Sequence, residues 1–456
     1  MNKKLIAVAC MTLCSSAAFA ATATLTCDTS SAEKMVNTCA TDAKATDFVS
    51  LYVAGSSALA SVNDVVLKAD LFDSSKPVIT LKYTDAGSFS AGQVSGWYGW
   101  SKPNLTGGTS KRLFVVYNKM NGSAAGVSQM LAKFDGKTAI VKESNVLSVG
   151  PVAGVPGSCV ADASSTDAAP VLNCPTSALR QADMAISDVA PVELYKLYAE
   201  ATAKLSTLKV TPLAMQGFGV AVSGDLYAAL QSAQGTSGQP TVRRVDYASI
   251  VTGKAKSASV LLPGNNGVLT LARRDDLSGT QAASNMYFAN NACGNNHDPK
   301  GKLIANVLGG AQPIIGAAAS AGNLVVQEYP VGGDVVKALN KSGYAIGVIS
   351  LTSAPSASDT WKFVKLDGVS PTPDAKQRAA FAGGDYGFAV TSFAVEYVKP
   401  KVDKSALTQA VIQGLKDSTL HDLRGIAYLD GGISALQSKV VRPDNNNCAP
   451  LVRGDL

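Results

Sequence analysis

The feature that most constrains this fold is a repeated order of apolar strand, polar turn rich in Gly and Ser, and helix. Phe48–Ala54 leads into Gly55-Ser56-Ser57, Arg112–Tyr117 leads towards Gly122-Ser123, and Val268–Ala272 leads into Arg274–Thr280. Strands that alternate with helices predict mainly parallel sheets flanked by helices. A chain of 456 residues is long for one domain, so we expect an α/β protein of two lobes.

These turns also have a chemical meaning. The first turn of a helix carries unpaired backbone N–H groups and partial positive charge, which favour a bound anion. At the third turn, Ser278 and Thr280 add hydroxyls, Gly279 lets a ligand approach the backbone, and Arg274 adds a cation with fork geometry. Taken alone, the third turn is also typical of an ordinary helix that is capped by Ser278 or Thr280.

A fourth turn carries an acid in place of a second hydroxyl. Ala182–Pro191 has the pattern of a short strand that ends in Ser187-Asp188. Asp188 could cap the helix expected from Val192 to Leu205, or it could belong to the same site as the other turns.

Composition narrows the class of protein. Hydrophobic residues make up 46% of the chain and charged residues 16%, as in globular and not in disordered proteins. The net charge of +6 is mild, and no basic run with interleaved aromatic residues occurs, so nucleic acid is not an expected partner.

The N-terminus has the pattern of an export signal. Lys3 and Lys4 precede an apolar run from Leu5 and an Ala-Phe-Ala site that ends at Ala20. We therefore expect residues 1–20 to be a signal peptide cleaved near Ala20, which leaves a periplasmic or secreted protein. No later run of apolar residues has the length of a membrane span.

Cysteine usage agrees with an oxidising compartment. Of the eight cysteines, Cys10 and Cys14 lie in the signal, which leaves an even number for disulfides. The natural pairs are the neighbours in sequence, with the last two left for each other, although other pairings remain open: Cys27 with Cys39, Cys159 with Cys174, and Cys293 with Cys448.

Metal and hydrolytic chemistry have little support. The chain has no Cys-x-x-Cys motif and two histidines, so a His/Cys metal site is not expected. Neither His297 nor His421 lies in a Ser-Gly turn, and both are expected to be solvated surface residues. We expect no enzyme activity, no catalytic residue and no cofactor.

The order of the motifs resembles that of the periplasmic phosphate-binding proteins of ABC uptake systems. The matching pieces are Ala-Gly-Ser-Ser-Ala at 54–58, Gly-Ser-Ala-Ala-Gly-Val at 122–127 and Ile-Ser-Asp-Val-Ala-Pro at 186–191. Arg-Asp-Asp-Leu-Ser-Gly-Thr at 274–280 is the most specific piece, because the family pattern is Arg-x-Asp-x-Ser-Gly-Thr. The pieces lie in the right order over most of the chain.

The resemblance implies a set of ligand-binding residues. They would bind phosphate through hydroxyls, backbone amides and one guanidinium: Ser56, Ser57, Ser123, Asp188, Arg274, Ser278, Gly279 and Thr280. Asp188 would accept the proton that hydrogen phosphate carries and sulfate lacks. By the same resemblance, Asp276 would support the site by orienting Arg274.

The resemblance also implies the overall organisation. It predicts a type 2 solute-binding fold with the cleft between a first lobe of residues 21–215 plus 388–456 and a second lobe of residues 216–387. The expected function is capture of phosphate or a similar oxyanion, with an ABC permease as a possible partner. The alternative is a secreted adhesin or surface-assembly protein that reuses the fold without transport.

Overall fold

The computed structural model describes most of the chain between Asp28 and Arg453. The described residues are 28–39, 47–85, 93–120, 122–131, 133–134, 139–140, 152–153, 158–175, 179–194, 204–290, 293, 318–429 and 433–453. The predicted signal peptide and His297 lie outside them.

The helices of the described part flank a large sheet. They are α1 (Ala32–Cys39), α2 (Ala60–Leu71), α3 (Gly122–Leu131), α4 (Gly224–Gln234), α5 (Arg244–Val251), α6 (Gly279–Ala289), α7 (Gly332–Leu339), α8 (Ala379–Gly383) and α9 (Ser405–Lys416). Short 3-10 turns occupy Pro103–Leu105, Pro191–Glu193, Leu205–Thr207, Ala258–Val260, Ser434–Leu436 and Pro443–Asn445. The helix expected from Val192 begins only as the 3-10 turn at Pro191, and residues 195–203 lie outside the described part.

The strands are mostly short, except for those at the centre of the sheet. They are β1 (Phe48–Gly55), β2 (Ile79–Asp85), β3 (Val94–Trp100), β4 (Arg112–Asn118), β5 (Lys133–Phe134), β6 (Ala139–Ile140), β7 (Val152–Ala153), β8 (Val160–Ala161), β9 (Val171–Pro175), β10 (Leu179–Arg180), β11 (Met184–Ser187), β12 (Leu208–Val222), β13 (Thr241–Val242), β14 (Leu269–Arg274), β15 (Ala318–Ala321), β16 (Leu324–Tyr329), β17 (Tyr344–Ser350), β18 (Lys362–Phe363), β19 (Lys365–Leu366), β20 (Ala389–Tyr397), β21 (Ile426–Tyr428), β22 (Val440–Val441) and β23 (Val452–Arg453).

The large sheet has the strand order β15-β16-β14-β17-β12-β20-β11-β1-β4-β3-β2-β9-β8. The pairs β1–β4, β1–β11, β14–β16 and β14–β17 are parallel. The pairs β11–β20, β12–β17, β12–β20, β2–β3 and β3–β4 are antiparallel, whereas β2–β9 is parallel. The predicted α/β fold class is confirmed, with parallel groups on either side of an antiparallel centre.

Strands β12 and β20 form this antiparallel centre. The first part of β12 pairs with β20, from Leu208 opposite Tyr397 to Gly217 opposite Ala389, with a register shift between Pro212 and Met215. The second part pairs with β17, from Phe218 opposite Ser350. Strand β20 in turn pairs with β11, so β12 and β20 lie between the two parallel groups.

The strands next to the candidate site are buried on both faces. Leu51 and Val53 of β1 belong to one apolar cluster, which includes residues of α2 and α9. Tyr52 and Ala54 belong to the cluster on the opposite face, which includes α3. Burial on both faces explains why β1 reads as a nearly continuous apolar run.

Two of the three predicted disulfides are confirmed. Cys159 is bonded to Cys174 within the β8–β9 hairpin, and Cys293, beyond α6, is bonded to Cys448 near the C-terminus. Cys39 is also disulfide-bonded. Cys27, its predicted partner, lies outside the described residues.

Candidate functional site

The first predicted turn begins at a glycine that no other residue could replace without strain. Gly55 ends β1 with φ of 125°, and a Cβ there would lie 2.0 Å from the carbonyl oxygen of Ile186. The N–H of Ser56 donates to that same oxygen at 2.8 Å. Ser56 is thereby held against the end of β11, and its Oγ accepts a bond from the N–H of Leu59 at the entry to α2 (3.0 Å).

Asp188 belongs to the fourth predicted turn and contacts residues of the other three. Its carboxylate accepts hydrogen bonds from the hydroxyl of Ser56 and, at 3.5 Å, from that of Thr280. Its N–H donates to Ser123 Oγ at 3.0 Å. Asp188 is buried, and this burial raises the pKa of its carboxyl, although Ser56 and Arg274 act in the opposite direction.

The starts of α3 and α6 are in direct contact. The N–H of Ala124 donates to the carbonyl oxygen of Leu277 at 2.9 Å. A Cβ on Gly279 would lie 2.4 Å from Ser123 Oγ and 2.7 Å from Asp188 Oδ2, so only glycine permits this approach. Ser278 caps α6, since its hydroxyl accepts a bond from the N–H of Gln281 (3.4 Å).

Arg274 links the third turn to the first. Its Nη1 donates to Ser57 Oγ at 2.8 Å, and the rest of the guanidinium donates to the carbonyl oxygens of Tyr329 (3.2 Å) and Pro330 (2.6 Å). These hydrogen bonds fix the orientation of the buried guanidinium. Burial lowers the pKa of Arg274, and the carboxylates of Asp275 and Asp188 oppose this effect.

Asp276, the predicted support of Arg274, forms an ion pair with Arg273, which precedes Arg274 in β14. Arg273 also lies 3.8 Å from Glu328 of β16, and all three side chains are buried. Strand β14 ends at Arg274, so residue 276 lies in the turn, where it meets the residue three positions before it.

All eight predicted ligand residues lie in the described part and around two groups, Asp188 and Arg274. Ser57 is half-buried, whereas the other seven are buried. Sequence reasoning missed the carbonyl groups of Tyr329 and Pro330, which orient Arg274. Every residue has a backbone carbonyl group, so no sequence signal could have distinguished these two.

His421 is not the solvated surface residue that was expected. Its Nε2 lies 2.8 Å from Asp70 Oδ2, and both side chains are 13% exposed. Within the described ranges, no three His, Cys, Asp or Glu residues are grouped so that they could hold a metal ion. None of the helices in the same ranges combines the length and apolar character that crossing a membrane requires.

A separate basic groove of about 1200 Å³ lies between β20 and the start of α9. It contains none of the predicted ligand residues, and Arg180, Lys204, Lys399, Lys401 and Lys404 are among the residues that line it. Within it, Lys404 pairs with Asp183 at 2.7 Å. The groove thus has an excess of positive charge.

Comparison with known proteins gives matches in structure alone. No family model and no curated protein matches the sequence. A protein from Clostridium perfringens, assigned as a phosphate ABC transporter substrate-binding protein with bound phosphate, is 14% identical; the match covers 84% of this chain and 100% of that one, with a TM-score of 0.45.

Two further structures give similar values. A phosphate-binding protein from Stenotrophomonas maltophilia is 14% identical, with 80% of this chain and 83% of that one covered and a TM-score of 0.41. An ABC-type phosphate transport receptor from Vibrio cholerae is also 14% identical, with 81% and 94% covered and a TM-score of 0.38. All three structures are 14% identical to this chain, with TM-scores below 0.5.

Proposed function

We propose that this chain is an exported solute-binding protein that captures phosphate, or a similar oxyanion, between the starts of α2, α3 and α6. The observation that carries the proposal is the convergence of four sequence-distant turns on Asp188 and Arg274. Hydroxyls, helix starts and a guanidinium with fixed orientation are the groups that recognise a tetrahedral oxyanion. An ABC-type permease would receive the ligand.

The proposal assigns a separate task to each group. Arg274 supplies charge, and the first turns of α3 and α6 supply backbone N–H groups and the hydroxyls of Ser123 and Thr280. Asp188 accepts the proton of a hydrogen phosphate ion, because a carboxylate can face an anion favourably only when that anion donates. An anion without a proton, such as sulfate, would leave two acceptors facing each other.

Binding also requires the turns to separate. The bond from Ala124 to Leu277 and the contact of Gly279 with Ser123 close the space between α3 and α6. We assign residues 21–215 plus 388–456 to one lobe and 216–387 to the other. Opening would then bend β12 and β20, the strands that lie between the two parallel groups.

Calorimetric titration tests the proposal on protein that has been unfolded, washed free of ligand and refolded. We expect a saturable signal with phosphate and binding of sulfate that is weaker by at least about 100-fold, because a buried acceptor pair without a proton costs about 3 kcal/mol. Asp188→Asn should bring the affinities for phosphate and sulfate closer together, since an amide can donate a hydrogen bond to sulfate. No signal with either anion would contradict the proposal.

Gly279→Ala should weaken phosphate binding by about 5- to 100-fold. The added methyl group would fill the space between α6, Ser123 and Asp188 that the ligand must share, and overpacking of this kind costs about 1–3 kcal/mol. The matched control is Gly332→Ala at the start of α7, where a Cβ has nothing within 4 Å. Equal affinities of the two variants would show that α6 does not approach the ligand.

A further inference from the structure

Asp275 is a buried carboxyl group that the described residues leave without a hydrogen-bond partner. Neither Oδ1 nor Oδ2 has a partner at hydrogen-bond geometry, and the residue is 1% exposed. The backbone N–H of Leu277 acts on the carboxylate, but it is the smallest of the influences on its pKa. The backbone of Asp275 is held, since its N–H donates to the carbonyl oxygen of Tyr329 (3.0 Å) and its own carbonyl accepts from the N–H of Ser278 (3.1 Å). The side chain therefore cannot reach water by a simple turn of the backbone.

The charges around Asp275 do not balance when every group is ionised. Arg274, Asp276 and Arg273 face it directly. The wider cluster of buried charged groups contains two guanidiniums and four carboxyls: Arg273, Arg274, Asp188, Asp275, Asp276 and Glu328. Asp334 of α7, which is partly exposed, also acts on Arg274.

The pairings within this cluster leave Asp275 as the carboxyl most easily protonated. Arg273 forms ion pairs with Asp276 and Glu328. Arg274 is next to both Asp188 and Asp275. Burial without a hydrogen bond favours the neutral form of an acid. It raises the pKa of Asp275 to about 7, with the Arg274 guanidinium acting in the opposite direction.

An oxyanion beside Arg274 would alter this balance. Its charge would compensate Arg274 and would repel an ionised Asp275 across a medium of low polarity. We propose that oxyanion binding at Arg274 is accompanied by uptake of one proton from the buffered solution on Asp275, so that Asp275 sets the pH dependence of the affinity. This inference rests on the proposed function. An O–H bond forms on Asp275, and the acid form of the buffer loses the same proton.

The sign of the effect follows from linkage. Below pH 7 the free protein already carries the proton, so binding takes up little. Above pH 7 the free protein must acquire it, and the affinity falls by up to about tenfold for each pH unit. Asp275→Asn keeps the shape of the neutral acid and removes the titration, so it should abolish this part of the pH dependence.

The test is calorimetric titration of the full chain with inorganic phosphate at pH 6, 7 and 8, in two buffers with different ionisation enthalpies. Phosphate titrates in this range itself, but its contribution is the same for wild type and Asp275→Asn. At pH 8, wild type should take up between about 0.5 and 1 proton more per phosphate than the variant. Asp167→Asn, which removes an exposed carboxylate of the β8–β9 hairpin, is the control, and it should behave as wild type does.

The outcomes are distinct. Equal proton uptake and equal pH profiles in wild type and Asp275→Asn would overturn the inference and leave the proposed function standing. No binding by wild type at any pH would overturn both. If Asp275→Asn does not fold, infrared difference spectra of wild type decide: phosphate binding at pH 8 should produce the C=O band of a protonated carboxyl, and its absence would refute the inference.

Discussion

Arg274→Ala is expected to weaken phosphate binding by at least about 30-fold and by up to several thousand-fold. The guanidinium is buried and donates to Ser57, Tyr329 and Pro330, so its charge acts on the ligand at fixed geometry. Removal of one member of a buried, hydrogen-bonded charge pair costs about 2–5 kcal/mol of binding free energy. Calorimetric titration of the refolded variant measures the loss.

The control for Arg274→Ala is a guanidinium that lies outside the site. Arg243 is 68% exposed and pairs with Asp246 in the first turn of α5, so Arg243→Ala should leave the affinity unchanged. Arg274→Lys should have an intermediate effect, because it keeps the charge but loses the fork. An affinity of Arg274→Ala within threefold of wild type would exclude this site.

The basic groove is the alternative binding place for phosphate, and variants of its lysines test it. If phosphate binds there instead, its affinity should survive Arg274→Ala and fall in a Lys399→Ala, Lys401→Ala double variant. Both lysines are exposed, so neither change should disturb the fold. The two sets of variants together decide whether the site at Arg274 or the groove holds the anion.

Gly55→Ala should lower the free energy of unfolding by about 3–5 kcal/mol. One part of the loss is the strain of a side chain at φ of 125°, which costs about 1–3 kcal/mol. The other part is the contact with the carbonyl oxygen of Ile186, which a Cβ would approach to 2.0 Å; the overpacking adds about 1–3 kcal/mol. Denaturation by urea, monitored by circular dichroism, measures the change.

A second glycine separates these two contributions. Gly108 has φ of 90°, and a Cβ there has nothing within 4 Å. Gly108→Ala should therefore show the strain without the contact and lose about 1 kcal/mol. If both variants lose the same amount, the close packing of β1 against β11 is not what makes Gly55 necessary.

The local structure of the site could be predicted from the sequence. Ser56, Ser123 and Thr280 each lie where a strand gives way to a helix, and such starts lie at the carboxyl ends of strands. In the parallel group of β11, β1 and β4 these ends share one edge, which explains why Ser56 and Ser123 meet at Asp188. Thr280 follows β14, which belongs to the other parallel group. The alternation of apolar and polar runs contained this information.

The contacts between the turns could not be predicted in the same way. The bond from Ala124 to Leu277 joins two backbone atoms far apart in sequence, and backbone groups are the same in every residue. The pairing of Asp276 with Arg273 depends on where β14 ends. The burial of Asp275 without hydrogen-bond partners could not be predicted either, because it depends on which residues pack around the side chain in the folded protein.

The disulfide between Cys293 and Cys448 determines what kind of motion can open the space beside Gly279. Its Cα atoms are 5.1 Å apart, and Asn447, next to Cys448, is bonded to Thr391 of β20 (2.7 Å). The far end of α6 is thus tied to the central strand, and the helix can pivot there but cannot slide away. Since α6 is about 16 Å long, an opening of about 4 Å at its first turn corresponds to a rotation of about 15°.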